Sequence, residues 1–261
     1  MRGRPVVPVT KDKRGMGRGS EYVAYIQAGD HVSLGQRNRL LSPRLCREVI
    51  CLSIGEKRVY LILERSPNVT DIREQYPLYP IEETIAIAEQ LGVKPCALNV
   101  QGKPMTTDFL VTCREGLTEK EVAISFKPLS ELADPRTLEL AEIERVFHQR
   151  RGTVWGLVTD QEVPHTVVAN LDLLMDFYAL EDLHPLTAQD VDAISRALLP
   201  RLSIQNTPLN IAALEVDRLL NYEEGTSLAV AWHLIATRRI QIDLEKPMKP
   251  DEPLPLISQE P

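Results

Sequence analysis

The chain has 261 residues, 43% hydrophobic and 26% charged, with a formal net charge of -7. That balance suits a globular protein with room for more than one core; no apolar run approaches the roughly 18 residues that would span a bilayer, so no membrane partner is expected. The charge is uneven, +7 over residues 1–60, -4 over 61–159 and -10 over 160–261, which suggests a first segment facing nucleic acid and a last one facing protein, although a basic arm without a partner has the same composition.

Residues 1–20 are rich in Gly, Arg, Lys and Pro and lack the apolar stretch of a secretory signal, so they read as a flexible basic arm. YVAYIQA (22–28) and EVICL (48–52) are short and apolar enough for strands. Ser53 with Glu56 three residues on forms a capping-box pattern that opens a helix ending by Pro67. NVTDIREQYPLYP follows as an extended segment, and PIEETIAIAEQLG as a helix between Pro80 and Gly92. PMTTDFLVTCREGLTEKEVAISFKP (104–128) reads as two strands joined by a polar turn. A helix begins at Asp134, with Pro135 in its first turn, carries Leu140, Ile143 and Phe147 on one face, and stops at Gly152. TVWGLVTD (153–160) is strand-like again, so the run from 121 to 160 predicts a helical crossover between parallel strands.

From residue 187 the chain changes character. TAQDVDAISRALL opens at Thr187 with Asp190 behind it, TPLNIAALEVDRLL opens at Thr207 and Pro208, and TSLAVAWHLIAT follows Gly225. IQIDL alternates as a half-buried strand, and three helices with one strand suggest a winged-helix-like module. KPMKPDEPLPLISQEP, with five prolines in 16 residues, predicts an extended tail. The expected divisions are an arm over 1–20, an α/β domain over 21–168, a helical domain over 169–246 and a Pro-rich tail over 247–261. Cys46, Cys51, Cys96 and Cys113 sit in or beside apolar runs without CxxC spacing, which predicts buried thiols of a cytosolic protein rather than a zinc site.

Alternation along strands puts Thr106, Asp108 and Leu110 on one face and Ala123, Ser125 and Lys127 on one face of the next strand. If those faces coincide, Asp108 and Lys127 approach each other at one end of an apolar sheet, with Glu56 supplied by the first helix. Two carboxylates and a lysine are a suitable set for metal-dependent phosphodiester hydrolysis. The same residues also read as a cross-strand ion pair and a helix cap.

The stretches LSIGEKRVYLILERSPNVTDIREQYPL, MTTDFLV, AISFKP and RTLELAEIERVFHQRRGTVWGLVTDQEVP, in that order over most of residues 20–170, resemble the TnsA family, endonuclease subunits of heteromeric cut-and-paste transposases. The resemblance implies a restriction-endonuclease-like α/β core, a mixed sheet flanked by helices, followed by a smaller helical winged-helix-like domain. It carries the family's catalytic Glu to Glu56, its metal-binding Asp to Asp108 and its strand Lys to Lys127, with Glu56 and Asp108 as metal ligands. Where related nucleases have Glu or Gln two residues before the Lys, this chain has Ser125, whose short neutral oxygen predicts weaker or water-mediated coordination. Glu144 is a candidate substitute leaning over from the EIER helix, or a solvated residue of that helix, and Glu74 is a further residue that lines the site or is structural or DNA-facing.

Mg²⁺, with Mn²⁺ as the alternative, is the implied cofactor, and double-stranded DNA at the 5′ ends of a transposon the implied substrate. The implied partners are a TnsB-type transposase that cuts the 3′ ends and a TnsC-type ATPase regulator engaging the acidic second half, all in a prokaryotic cytoplasm at the nucleoid. Expected phosphate contacts are Arg2, Arg4, Lys11, Lys13, Arg14 and Arg18 of the arm, with Arg37, Arg39, Arg44 and Arg47 behind them. The departure at Ser125 leaves a second reading, a catalytically degenerate DNA-binding scaffold between transposase and regulator. A stand-alone repair or restriction nuclease is a third.

Overall fold

A computed structural model describes residues 13–27, 38–179, 186–203 and 207–257, which divide into a unit ending at Val163 and a unit beginning at Pro164. In the first unit, β1 (Asn38–Ser42) and β2 (Arg47–Cys51) form an antiparallel pair. Then come α1 (Ile54–Arg65), β3 (Val69–Pro77), α2 (Ile81–Leu91), a single turn α3 (Ala97–Val100), β4 (Thr106–Glu115), β5 (Thr118–Phe126), α4 (Pro135–Arg150) and β6 (Val154–Val158). The sheet runs β3-β4-β5-β6, antiparallel in its first two pairings and parallel between β5 and β6. It is the mixed sheet flanked by helices that the resemblance implies, and α4 makes the expected crossover.

The helices start and stop for local reasons. Ser53 Oγ accepts the Glu56 N–H at 3.1 Å, satisfying a donor that α1 cannot pair internally. At the other end Arg44 donates to the carbonyls of Glu64 and Ser66, a cation on the free carbonyls where the helix dipole favours it. Gly92 closes α2 in the left-handed conformation, φ 70°. Asp134 caps α4, accepting the Arg136 N–H. Leu78, Ile87, Ala88, Met105, Ile143 and Phe147 are buried together where α2 meets α4.

Two expectations change at the amino-terminal side. Residues 22–27 of YVAYIQA form no strand: Val23 makes one bridge, to Met16, after a 3-10 turn over Gly19–Glu21. Gly15, Gly17 and Gly19 all adopt positive φ, so the chain folds back on itself instead of extending. The basic stretch is also tied down from residue 13, the Gly19 N–H donating to Asp71 and the Arg18 guanidinium to Glu121. Arg2, Arg4 and Lys11 lie outside the described residues, as does Arg37. Of the cysteines, all free, only Cys51 is buried; Cys46 is exposed at the β1–β2 turn, and Cys96 and Cys113 are half-buried.

The second unit holds α5 (His165–Met175), α6 (Ala188–Leu202), α7 (Leu209–Leu220) and α8 (Thr226–Ala236). Thr187 and Asp190 complete a reciprocal capping box on α6. The buried Asp217 of α7 accepts the N–H groups of Gly225 and Ser227, capping α8 from the side. Leu174, Ile194, Leu198, Leu209, Val216, Val230 and Trp232 form one apolar core. The expected strand over IQIDL is reduced to a bridge between Ile242 and Leu256, and no strand occurs among the described residues of this unit. Pro247, Pro250, Pro253 and Pro255 lack the N–H groups a ladder needs. No helix is long and apolar enough to cross a membrane among the described residues.

Candidate active site

Glu56 stands in the first turn of α1, and its carboxylate does more than cap. Oε1 accepts from Ser53 Oγ at 3.0 Å, while Oε2 accepts from Leu52 N at 2.9 Å and from Gln75 Nε2 at 3.1 Å. Gly55 makes this placement possible: a Cβ there would lie 1.9 Å from the Phe126 ring, so α1 rests on the end of β5 only because residue 55 has no side chain.

The β4–β5 ladder pairs Leu110 with Ala123 and Phe109 with Ile124 and goes no further. Past that point the Phe126 N–H donates to Asp108 Oδ2 at 2.7 Å, so a side chain takes the bond a strand would have given. Lys127 Nζ lies 3.9 Å from the same oxygen and donates to the Phe126 carbonyl at 3.0 Å. The Lys127 side chain keeps 37% of its surface in solvent and that of Asp108 13%, leaving a partly open end to an otherwise apolar pair of strands.

Ser125 is buried, and its hydroxyl donates to Glu144 Oε1 of α4 at 2.5 Å. Of the two readings of Glu144 the geometry supports the first: it is a buried carboxylate at the end of the sheet, not part of a solvated face. The Thr107 hydroxyl and the Trp155 indole also favour its charged form, although Trp155 Nε1 completes no hydrogen bond. Glu74 takes the other route. It is buried against Arg47 in a two-pronged ion pair of 2.7 and 2.8 Å, so both are structural. Arg44 is spent in the same way, on the end of α1 and on the Val69 carbonyl. Arg39 pairs with Glu48 at 3.6 Å on the surface, Arg18 with Glu121 at 2.8 Å, and Arg14 reaches the Tyr25 carbonyl.

The electrostatics follow from burying several carboxyls close together. Burial, then the charge of Asp108, pushes Glu56 up to about 7 against the Leu52 and Ser53 hydrogen bonds and Lys127. Glu144 is also pushed up to about 7, by burial and then by Asp108. Asp108 is raised by burial, opposed by Lys127 and the Phe126 N–H. Lys127 is raised chiefly by Asp108, with Glu144, Glu56 and Glu131 adding to it. Three acids and one ammonium group therefore sense one another, and the site carries more negative charge than its own cation balances.

The sequence reading missed Gln75. Its side chain is buried and bridges Glu56 to the Thr106 hydroxyl, which donates to Gln75 Oε1 at 3.2 Å. Its φ of 49° is unusual for a non-glycine residue within a strand, and such backbone outliers gather at functional sites. The polar Gln in an otherwise extended run was the available signal.

The model of the TnsA-like endonuclease N terminal matches residues 66–160, and that of the TnsA endonuclease C terminal matches residues 162–244. Over 179 residues the chain is 37% identical to the Escherichia coli protein "Transposon Tn7 transposition protein TnsA". The chain belongs to the TnsA family. The match covers 69% of this chain and 65% of that relative, so the chain spans less than two thirds of the relative's length. Asp108, Ser125, Lys127 and Glu144 fall within the segment matched to the family's N-terminal model, whereas Glu56 lies ahead of it and joins the site by geometry alone.

Proposed function

We propose that this chain is the DNA endonuclease subunit of a heteromeric transposase, hydrolysing phosphodiester bonds at the 5′ ends of a transposon inside a prokaryotic cell. A TnsB-type transposase would cut the 3′ ends, and a TnsC-type ATPase regulator would engage the acidic second unit. One observation carries the reading: Glu56 of α1, Asp108 of β4 and Lys127 just past β5 interact at one end of a mixed sheet, in a chain of the TnsA family.

The donor set fits a hard divalent cation, Mg²⁺ or Mn²⁺. Among the described residues no group of three His, Cys, Asp or Glu side chains closes a cage; Mg²⁺ asks for less, one or two carboxylates with water and substrate phosphate making up the rest. Burial raises all three carboxyls, and the charge of Asp108 raises Glu56 and Glu144 further, a cost that a cation bound beside them would offset. Glu56 and Asp108 are the proposed ligands. Bound there, the cation would supply charge neutralisation at the scissile phosphate and a more acidic water.

Lys127 carries the site's own cation just past the end of β5, where its backbone N–H donates to the Val158 carbonyl. Its half-exposed ammonium can meet a phosphate oxygen or orient the attacking water while Asp108 keeps it charged and directed. Gln75 and the Leu52 N–H fix the Glu56 carboxylate, and Phe126 N–H fixes that of Asp108. Arg14, Arg18, Arg37 and Arg39 are proposed phosphate contacts on double-stranded DNA. The exposed ion pairs of Arg18 and Arg39 cost little to exchange for phosphate.

The deciding experiment is a strand-resolved cleavage assay of transposon-end DNA with the co-encoded transposase. Asp108→Ala should abolish 5′-strand cutting while the two proteins still associate; undiminished cutting would refute the assignment.

A further inference from the structure

Behind Asp108, one residue back along β4, Thr107 is fully buried and its hydroxyl lies 2.6 Å from His148 Nε2. His148 is also buried, and it follows Glu144 by four positions on α4, so both side chains stand on one face of the helix. The other ring nitrogen, Nδ1, has no hydrogen-bond partner. Glu144 already holds the Ser125 hydroxyl and lies near enough to Thr107 to feel its dipole. The buried chain His148, Thr107, Glu144 and Ser125 therefore runs from the interior of α4 to the edge of the site. Nothing in the proposed hydrolysis uses its inner half.

The direction of the chain depends on where the imidazole carries its proton. A proton on Nδ1 would leave a buried N–H with no acceptor and would make Nε2 an acceptor that consumes the Thr107 proton. A proton on Nε2 leaves only an idle lone pair at Nδ1, and orphaned donors are the rarer and costlier of the two. Nε2–H then donates to Thr107 Oγ1, and the Thr107 hydroxyl proton is released toward Glu144.

We infer that His148 is a positioning residue of this site: as the Nε2–H tautomer it holds the Thr107 hydroxyl so that Thr107 and Ser125 both donate to Glu144, fixing that carboxylate beside Asp108. Burial and the nearby Arg151 lower the His148 pKa to about 4, which keeps the ring neutral near pH 7 and gives it one donor and one acceptor. The part concerning cutting rests on the nuclease reading, while the hydrogen-bond chain itself does not.

Two measurements on the full chain test it. In ¹⁵N spectra of the histidine rings, the signal lost in His148→Gln should report a protonated Nε2 and a bare Nδ1 at neutral pH, and Thr107→Val should shift its Nε2–H. An Nδ1–H tautomer, or a ring indifferent to Thr107→Val, overturns the inference. In strand cleavage with the transposase, His148→Leu and Thr107→Val should each lower the rate about 10-fold, and the double variant no further, because they break one chain. His148→Gln, which keeps an N–H near the place of Nε2, should recover most of the loss at equal thermal stability. Additive losses, or Gln behaving like Leu, also overturn it. If the parent chain cuts no DNA, the nuclease reading fails and the tautomer still decides the inference.

Discussion

Ser125 Oγ and Glu144 Oε1 are 2.5 Å apart in the interior, so the residue that looked like a gap in the site delivers a third carboxylate to it. In a working site the pairing would account for a serine at this position. A longer side chain at 125 would occupy the space Glu144 now fills. Ser125→Gln, which restores a longer polar arm by sequence, is therefore expected to cost about 1–3 kcal/mol by overpacking and to reduce strand cutting. Urea denaturation and cleavage rates measured together check both. A gain in cutting would mean that Glu144 is not the working group.

The acids give the fold a pH signature. Glu56 and Glu144 titrate near 7 in the folded chain, against an ordinary value of 4.5, so folding takes up protons between those limits. Their stabilisation is complete below about pH 4.5 and is lost as pH rises through 7, up to about 3 kcal/mol for each. His148 acts oppositely, its contribution lost as pH falls from 6.5 through about 4. Glu56→Gln and Glu144→Gln should each flatten the fall in stability between pH 5 and 7.5, read as the denaturant midpoint against pH. An unchanged slope would place these carboxyls in an ordinary solvated setting.

Metal removal should separate ligand from scaffold. Mg²⁺ in 100-fold excess over its dissociation constant should stabilise the parent by about 3 kcal/mol, raising its melting temperature. Asp108→Ala should abolish that rise and lower cutting to below about 1% of the parent. EDTA should return the parent to its metal-free melting temperature. A rise that persists in Asp108→Ala would point to a different cation site.

Gly55 offers a steric test. Alanine there would meet the Phe126 ring well inside contact distance, and α1 would have to lift away from β5 and carry Glu56 with it. Gly55→Ala should lower cutting at least about 100-fold, since displacements near 1 Å have effects of that size. Phe126→Leu in the same chain should restore part of it, a recovery that simple unfolding would not give.

Much of this arrangement was legible in the sequence. Elements with punctuation at both ends, such as the helix from Ser53 to Pro67 and the one from Asp134 to Gly152, form with nearly the expected bounds. The Asp108 and Lys127 approach followed from alternation and one turn. What could not be read depends on distant partners. Glu74 read as a site-lining, structural or DNA-facing residue and Arg47 as a phosphate contact, and the two are instead buried against each other. Gln75 turns inward through a backbone angle no side-chain pattern encodes, and IQIDL fails as a strand because its neighbouring chain is rich in proline.

The far end of the chain has a consequence of its own. No side chain caps α7, whose first amides are served instead by the tail, Leu209 N donating to the Glu252 carbonyl and Asn210 N to that of Pro250. Asn170 of α5 grips the same stretch through the carbonyls of Leu244 and Lys246 and the Met248 N–H. Residues 244–252 thus tie α5 to α7, a polar buckle added to the apolar core that the helices share. A protease nick between Lys246 and Glu252 should release the start of α7 and open the whole helical unit, whereas trimming beyond Ile257 should leave it closed.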